Sequence, residues 1–202
     1  MGRVLGGVVV MTDRVLVLFS GGLDSAVLVS MFPNAIALSF DYGQPHRIEI
    51  NHARRFCQAR GIIHLVVPLA LAGGGLLDAD AGSPVVPGRN LAMLALAASY
   101  AIEHGADQIA IGVTLEDRDL FADCRSSFVH AFNGCAAASA LPVRAIAPLI
   151  DKTKAQIVEL CGGLGIDTEE TWSCYAGAVT PGGLPCGHCL ACRVRNEAIA
   201  KG

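Results

Sequence analysis

The most constraining feature of this 202-residue chain is the segment LVLFSGGLDSAVLVSMF, which covers residues 16–32. Four apolar residues lead through Ser20 into Gly21 and Gly22, and a helical pattern with Asp24 in its first turn follows at once. A buried strand that passes through glycines directly into a helix leaves several backbone N–H groups unpaired and pointing the same way. This arrangement suits a phosphate, although the same residues also fit a tight strand-to-helix turn without a ligand.

Strands and helices alternate along most of the chain. Apolar runs predict four strands, at 15–19, 35–40, 62–69 and 108–113. Amphipathic patterns predict helices between them, including 50–61 and 90–106. We expect Asn90 to cap the second of these helices and Gly105 to end it. The order predicts an α/β fold, an open doubly wound parallel sheet with its site at the carboxyl ends of the strands.

Two segments interrupt this alternation. Residues 70–89 are rich in Gly, Ala, Asp and Pro, and predict a mobile loop over the strand ends. Residues 171–202 carry a cysteine cluster and predict a small appendage packed on an α/β domain that covers 1–170. The first dozen residues are interpreted as an extension before the first strand.

Composition narrows the class of partner. The formal net charge is -3 and the pI is near 6.0, so the broad basic field of a nucleic-acid binder is not expected. The longest apolar helix pattern, 90–105, contains polar residues and falls short of the roughly 20 apolar residues that a membrane span needs. With no recognisable signal peptide, we expect a cytoplasmic protein. A mean hydropathy of +0.49 favours a homodimer.

The cysteine pattern near the C-terminus predicts a metal site. Four of the eight cysteines follow the spacing C-x11-C-x2-C-x2-C, at Cys174, Cys186, Cys189 and Cys192. Two successive C-x2-C steps with a more distant fourth thiolate can enclose a tetrahedral ion, so we expect structural zinc (Zn²⁺) with no open coordination position. His188 is expected to be a bystander. The other four cysteines are expected to be buried or free thiols.

The glycine segment also carries a resemblance to a known enzyme group. SGGLDS after a hydrophobic first strand resembles the pyrophosphate loop of the ATP-pyrophosphatase (PP-loop) superfamily, whose members split ATP between its α and β phosphates. Further segments resemble, in order, those of the QueC family of 7-cyano-7-deazaguanine synthases: FDYGQPHRIEI (40–50), VPGRN (86–90), DCRSSFVHAFN (123–133), PLIDKTKAQIV (148–158), TWSCYAG (171–177) and CGHCLAC (186–192).

The resemblance implies a ligase activity. The family converts 7-carboxy-7-deazaguanine first to the amide and then to the nitrile, with ammonia as nitrogen donor and with AMP and pyrophosphate released at each activation. A carboxylate is a poor electrophile, so adenylation must supply a better leaving group. One nucleotide site can serve both steps, with the protein contributing positioning and charge stabilisation.

The resemblance also implies roles for individual residues. Backbone N–H groups of 21–25 and the hydroxyls of Ser20 and Ser25 would hold the phosphates of ATP, and Asp24 would orient the loop or a magnesium ion (Mg²⁺). Thr153 and Gln156 form a capping-box pattern that places Lys154 in a first helical turn, next to a phosphate. We expect the chemistry to depend on Ser20, Asp24, Ser25 and Lys154. The expected nucleotide and substrate contacts are Phe19, Ser20, Gly21, Gly22, Leu23, Asp24, Ser25, Phe40, Asp41, Tyr42, Arg89, Asn90, Gly112, Asp117, Asp123 and Arg125.

One segment departs from the family pattern and keeps alternatives open. Related sequences read close to G-V-x-E-T-D-x-x-x-Y-P-D-C-R, whereas residues 112–125 read GVTLEDRDLFADCR. Asp117, Asp119 and Asp123 are candidates to bind the guanine-like edge of the substrate, or these charges belong to a solvated loop. An altered segment could also redirect the adenylate to a protein or peptide amine. The remaining alternatives are a PP-loop tRNA-modifying protein and a zinc nucleic-acid-binding module, which the acidic balance disfavours.

Overall fold

The computed structural model describes residues 3–5, 8–10, 14–44, 46–70, 86–177 and 183–201. The strands are β1 (Arg3–Leu5), β2 (Val8–Val10), β3 (Val15–Leu18), β4 (Ile36–Asp41), β5 (Ile63–Pro68), β6 (Gln108–Ala110) and β7 (Arg144–Ile146). The α-helices are α1 (Leu23–Ser30), α2 (Ile48–Arg60), α3 (Arg89–Glu103), α4 (Leu115–Leu120), α5 (Ser126–Ala138), α6 (Lys154–Gly163) and α7 (Leu190–Lys201). Short 3-10 helices cover Ala122–Cys124 and Thr168–Glu170.

Five parallel strands form the central sheet in the order β5-β4-β3-β6-β7. The chain runs outward from β3 to β5 and then returns to place β6 on the other side of β3. The strand order therefore reverses between β3 and β6, where doubly wound folds form their ligand crevice at the carboxyl ends of the strands.

Helices cover both faces of this sheet. Val15 and Val17 of β3 point to the face where α1, α2 and α6 pack, and Leu16 points to the face that α3 and α5 cover. The alternation follows from the two-residue period of a strand, and burial on both faces explains why β3 and β4 read as continuous apolar runs. The predicted doubly wound architecture is confirmed.

Most predicted elements are present with shifted ends. The four predicted strands correspond to β3, β4, β5 and β6. The last of them ends at Ala110, and the next three residues line a cavity. Gly61 ends α2 in the left-handed conformation with φ 65°, as the amphipathic pattern predicted. Strand β7 was not predicted, since three residues with one arginine carry little pattern. Residues 71–85 of the predicted loop lie outside the described residues.

The predicted cap of α3 is wrong. Gly88, with φ 74°, is the N-cap, and Asn90 lies within the first turn. The left-handed glycine lets the chain turn so that the Arg89 N–H reaches the Val86 carbonyl oxygen at 3.1 Å. The Asn90 amide is then free to donate to the Asp123 carbonyl oxygen at 3.4 Å, so it joins α3 to the segment after α4 instead of capping α3.

The two ends of the chain add smaller features. The residues interpreted as an N-terminal extension contain β1 and β2, which pair antiparallel with Arg3 opposite Val10. The C-terminal segment, from 171 onward, contacts the segment that follows β3, where the backbone N–H of Trp172 donates to the Gly21 carbonyl oxygen at 2.8 Å. None of the described helices is long and apolar enough to cross a membrane.

Candidate active site

The glycine loop, Ser20–Ser25, lies between the end of β3 and the start of α1. Gly22 is the N-cap of α1 in an extended conformation and has no side chain with which to satisfy the first-turn N–H groups. The Ser20 and Ser25 hydroxyl oxygens lie 3.1 Å apart, and Ser20 Oγ accepts from the Gly22 N–H at 3.2 Å. The loop therefore presents hydroxyls and helix N–H groups together, which is the chemistry of a phosphate site.

Gly21 has a packing role within this loop. Its φ is +86°, and a Cβ at this position would lie 2.4 Å from the Glu49 carbonyl oxygen and 3.1 Å from the Ala53 nitrogen. Only a glycine permits α2 to approach the loop so closely. Gly21 does not itself line the cavity described below.

A charge cluster surrounds Lys154 beside the loop. Lys154 Nζ lies 2.7 Å from Asp24 Oδ2 and 3.3 Å from Asp117 Oδ2, and its backbone N–H donates to Glu116 Oε1 at 3.0 Å. Burial by itself would lower the pKa of Lys154, but the two carboxylates outweigh burial and raise it. Burial raises the pKa of Asp24 even though Lys154 opposes the shift. The ammonium group is thus held charged next to the glycine loop.

The capping boxes explain this geometry locally. Thr153 accepts from the Gln156 N–H, which confirms the predicted start of α6 and places Lys154 at its first position. Thr114 forms a second capping box with Asp117, whose carboxylate accepts from the Thr114 N–H at 3.0 Å and hydroxyl at 2.7 Å. The segment interpreted as a charged loop is therefore α4, and Asp117 is already engaged. Asp119 is 3.4 Å from Arg118 and lies outside the cavity lining.

Two carboxylate oxygens in this cluster remain unsatisfied. Asp24 Oδ1 and Glu116 Oε2 are buried and have no hydrogen-bond partner among the described residues. The other oxygen of each carboxylate accepts a hydrogen bond from Lys154. Asp24 Oδ2 accepts from the ammonium group, and Glu116 Oε1 accepts from the backbone N–H. Carboxylate oxygens of this kind are ligands that Mg²⁺ prefers, so the donor set fits a magnesium ion.

A cavity of about 340 Å³ opens over the glycine loop at the carboxyl ends of the strands. The predicted contacts that line it are Phe19, Ser20, Gly22, Leu23, Asp24, Ser25, Phe40, Tyr42, Arg89, Asn90, Gly112, Asp117, Asp123 and Lys154. Asp41 and Arg125 do not line it. Asp41 pairs with Arg47 at 2.5 Å, and Arg125 donates to the Arg118 carbonyl oxygen at 3.3 Å, so both serve local structure.

Sequence reasoning missed a group of residues at the β4–α2 corner, the segment 40–50 that contains the end of β4, the connection and the start of α2. Gln44 is buried, and its amide bonds to Phe40, Tyr42 and Glu49. Burial raises the pKa of Glu49 to about 8, and burial lowers the pKa of His46 to about 4. Both residues line the cavity. The motif FDYGQPHRIEI contained them, but no spacing rule distinguished them from an ordinary turn.

The C-terminal segment closes one side of the cavity. Trp172, Ser173, Tyr175 and Arg195 all belong to its lining. Arg195 of α7 donates to the Thr171 hydroxyl at 2.8 Å and so ties the last helix to the segment before the cysteines. The C-terminal segment is therefore part of the cavity wall, a contribution that the sequence alone did not reveal.

The four clustered cysteines form a candidate metal centre. Their sulfur atoms all lie within 4.8 Å of one another, with Cys174 and Cys192 buried and Cys186 and Cys189 half-buried. The Cys186 and Cys189 N–H groups donate to the sulfurs of Cys174 and Cys186, both at 3.3 Å. This set could hold a metal ion. His188 is exposed and its Nδ1 lies 2.8 Å from the Cys186 carbonyl oxygen.

The remaining cysteines are free thiols. Cys57, Cys124 and Cys161 are buried and Cys135 is exposed. This agrees with the prediction that these cysteines are buried or free. Residues 178–182, which include part of the long spacing after Cys174, lie outside the described residues.

Comparison with known proteins decides the family. A family model described as Queuosine biosynthesis protein QueC matches residues 14–202. The chain belongs to the QueC family. This QueC-family chain is 38% identical to the 7-cyano-7-deazaguanine synthase of Synechococcus sp. (strain CC9311) over 216 residues, covering 94% of each chain. It is 35% identical to the synthase of Alteromonas mediterranea over 210 residues, also covering 94% of each.

Solved structures show the same fold in more distant proteins. The QueC-family chain resembles the NH3-dependent NAD synthetase from Campylobacter jejuni with a TM-score of 0.54 and 16% identity, covering 80% of this chain and 68% of that one. It resembles the U34-tRNA thiolase NcsA from Methanococcus maripaludis with a TM-score of 0.52 and 20% identity, covering 95% and 66%. At this identity the likeness concerns the fold alone.

Proposed function

We propose that this QueC-family chain is a 7-cyano-7-deazaguanine synthase, an ATP-dependent ligase. It converts 7-carboxy-7-deazaguanine to the amide and then to the nitrile, with ammonia as nitrogen donor. The observation that carries the proposal is the glycine loop at the strand-order reversal, which lines the same cavity as Lys154 and contacts it through Asp24. The curated relatives bearing the synthase name support the substrate.

The glycine loop would hold the phosphates of ATP. The N–H groups at the start of α1 and the hydroxyls of Ser20 and Ser25 supply donors, and Lys154 supplies a positive charge. A phosphate near Lys154 would compete for the ammonium group that Asp24 and Asp117 now hold. Phe40 and Tyr42, at the end of β4, are placed to contact the adenosine part.

The reaction proceeds in two activations on one site. In the first, a substrate carboxylate oxygen attacks the α-phosphorus and pyrophosphate leaves, giving an acyl adenylate. Ammonia then attacks the acyl carbon and AMP leaves, giving the amide and releasing a proton. In the second, the amide oxygen attacks the α-phosphorus of a new ATP and pyrophosphate leaves. The C–O bond to AMP then breaks as the nitrogen loses two protons, which gives the nitrile and AMP. Lys154 and the α1 N–H groups stabilise negative charge on the phosphates at both steps.

We assign Mg²⁺ to Asp24 and Glu116, whose buried unsatisfied oxygens fit it. When bound, the ion would neutralise phosphate charge. We assign structural Zn²⁺ to Cys174, Cys186, Cys189 and Cys192, because four thiolates leave no position for water or substrate. The centre would hold Trp172 and Tyr175 in the cavity wall.

We also propose a cytoplasmic homodimer. Dependence on ATP and on reduced thiolates favours the cytoplasm. Leu91, Leu96 and Ile102 of α3 are exposed apolar side chains that a second copy would cover. Sedimentation of the purified protein tests the dimer, since a single species of one chain mass would contradict it.

The direct test is turnover of defined substrates. The full chain is incubated with ATP, Mg²⁺, ammonium and 7-carboxy-7-deazaguanine, and both small molecules and intact protein are analysed by mass spectrometry. The proposal expects amide and nitrile with two AMP per nitrile. AMP without nitrile, or a deazaguanine mass on the polypeptide, would instead support conjugation to an amine, an alternative that no present finding favours.

A further inference from the structure

Glu49 is a largely buried carboxyl group that the phosphate chemistry leaves unused. It lies in the first turn of α2, its side chain is 13% exposed, and it lines the cavity. Within the described residues no lysine or arginine forms an ion pair with it, although the charge of Arg89 partly offsets the effect of burial on its pKa. His46 Nε2 lies 3.6 Å from Oε1. A buried carboxylate without a cation is costly unless a ligand supplies donors.

Neighbouring groups hold this carboxyl in one orientation. The Tyr42 N–H donates to Gln44 Oε1 at 2.9 Å, which fixes the amide so that its Nε2 faces Glu49. Gln44 Nε2 then donates to Glu49 Oε1 at 3.0 Å and to the Phe40 carbonyl oxygen at 3.2 Å. Gln44 is thereby satisfied, and the described residues offer Glu49 Oε2 no hydrogen bond. The site presents a positioned acceptor to whatever enters the cavity.

The sequence suggested other residues for the base of the substrate. Asp117 is engaged by Thr114 and Lys154, and Asp119 lies outside the lining. Asp123 lines the cavity and remains a competitor. Glu49 differs from Asp123 in accepting a hydrogen bond from Gln44 Nε2, which holds its carboxylate in place.

We propose that Glu49 recognises the N1–H and 2-amino edge of the deazaguanine base and so determines substrate specificity. This rests on the proposed function and deepens it. The edge has two adjacent donors, and an ionised carboxylate offers two matching acceptors. The 7-carboxylate lies on the other ring of the bicycle, so the edge can face Glu49 while the reacting group faces the glycine loop.

The adenine of ATP is the main competing ligand for Glu49, and its chemistry is different. Its edge has one acceptor and one donor, which a protonated carboxyl or a glutamine side chain matches equally well. The substitution Glu49→Gln therefore separates the two: it should spoil recognition of the guanine-type edge and leave recognition of adenine intact. Glu49→Asp keeps the carboxylate, but the side chain is shorter by one methylene group and the carboxylate reaches less far toward the base.

The experiment compares two bases on four proteins. Wild type, Glu49→Gln, Glu49→Asp and Asp123→Asn are assayed as full chains with 7-carboxy-7-deazaguanine and with its analogue lacking the 2-amino group. We expect wild type to prefer the guanine-type base about 10–100-fold in kcat/KM, as befits a hydrogen bond to a charged group. Glu49→Gln should reduce this preference to about threefold or less and leave KM for ATP unchanged, while Asp123→Asn keeps the preference and Glu49→Asp retains part of it.

Several outcomes would overturn the assignment. If Glu49→Gln keeps the full preference for the guanine-type base, or if only Asp123→Asn loses it, a residue other than Glu49 recognises the base. A rise only in KM for ATP would indicate an adenine site, and a rise only in KM for ammonium would indicate a nitrogen-donor site. Equilibrium binding of the two bases without ATP reports the preference independently of turnover. If the wild-type protein shows no turnover but still binds the guanine-type base preferentially, the synthase proposal is refuted and the role of Glu49 is not. Circular dichroism checks that each variant is folded.

Discussion

Substitution of Gly21 by alanine tests how closely α2 packs on the glycine loop. Two costs apply. A residue with a Cβ at φ +86° pays about 1–2 kcal/mol of backbone strain. The new Cβ would also lie 2.4 Å from the Glu49 carbonyl oxygen, and relieving such an overlap by backbone shifts costs about 1–3 kcal/mol. The free energy of unfolding should fall by about 2–5 kcal/mol in total, summing the two.

Gly61→Ala is the matched control. Gly61 also has positive φ, +65°, but a Cβ there would meet nothing within 4 Å. It should pay the strain alone, so the difference between the two variants isolates the steric cost of about 1–3 kcal/mol. For a chain of this size that difference corresponds to an unfolding midpoint about 2–12 °C lower for Gly21→Ala than for Gly61→Ala.

The assay is thermal unfolding followed by circular dichroism, together with substrate affinity. Because a displaced α2 carries Glu49 with it, Gly21→Ala should also weaken binding of the deazaguanine carboxylate, whereas Gly61→Ala should not. Equal unfolding midpoints for the two variants would refute the close approach of α2 to the loop.

Three further predictions concern charge, metal and pH. Lys154→Met should lower the free energy of unfolding by about 3 kcal/mol, the low end for breaking a buried ion pair, because Asp24 and Asp117 lose their cation; AMP formation should stop. Chelation of the metal, or Cys192→Ser, should abolish amide formation and lower the unfolding midpoint, because the cysteine segment forms part of the cavity wall. Binding of the deazaguanine carboxylate without ATP should strengthen about 90-fold from pH 6 to pH 9, since Glu49, with its pKa raised to about 8, must lose its proton to accept two hydrogen bonds.

Each of these predictions has a control. Lys154→Arg keeps the charge and should retain more stability than Lys154→Met; equal loss would contradict the ion-pair argument. Readdition of Zn²⁺ should restore the chelated protein, and full activity after complete metal removal would contradict the structural role. The pH dependence should vanish in Glu49→Gln. His46, neutral with its pKa lowered to about 4, does not titrate in this window.

The fold followed from patterns that lie within short windows of sequence. Apolar runs buried on both faces predicted β3 and β4, and Gly61 predicted the end of α2. The missed elements are those whose stability is not local. Strand β7 has three residues and exists because β6 offers it a hydrogen-bonding edge. Asn90 is not the N-cap of α3 as predicted, because Gly88 turns the chain two residues earlier.

The same division applies to the site. The glycine loop, the Thr153 capping box and the four cysteines were readable by themselves, because a turn, a cap and a chelate motif depend on residues a few positions apart. What only the tertiary structure decided is which distant groups meet: Lys154 beside Asp24, 130 positions away, and the Trp172 N–H on the Gly21 carbonyl oxygen. The raised pKa of Glu49 belongs to the same class, because burial is set by how the sheet, the helices and the cysteine segment close around one cavity.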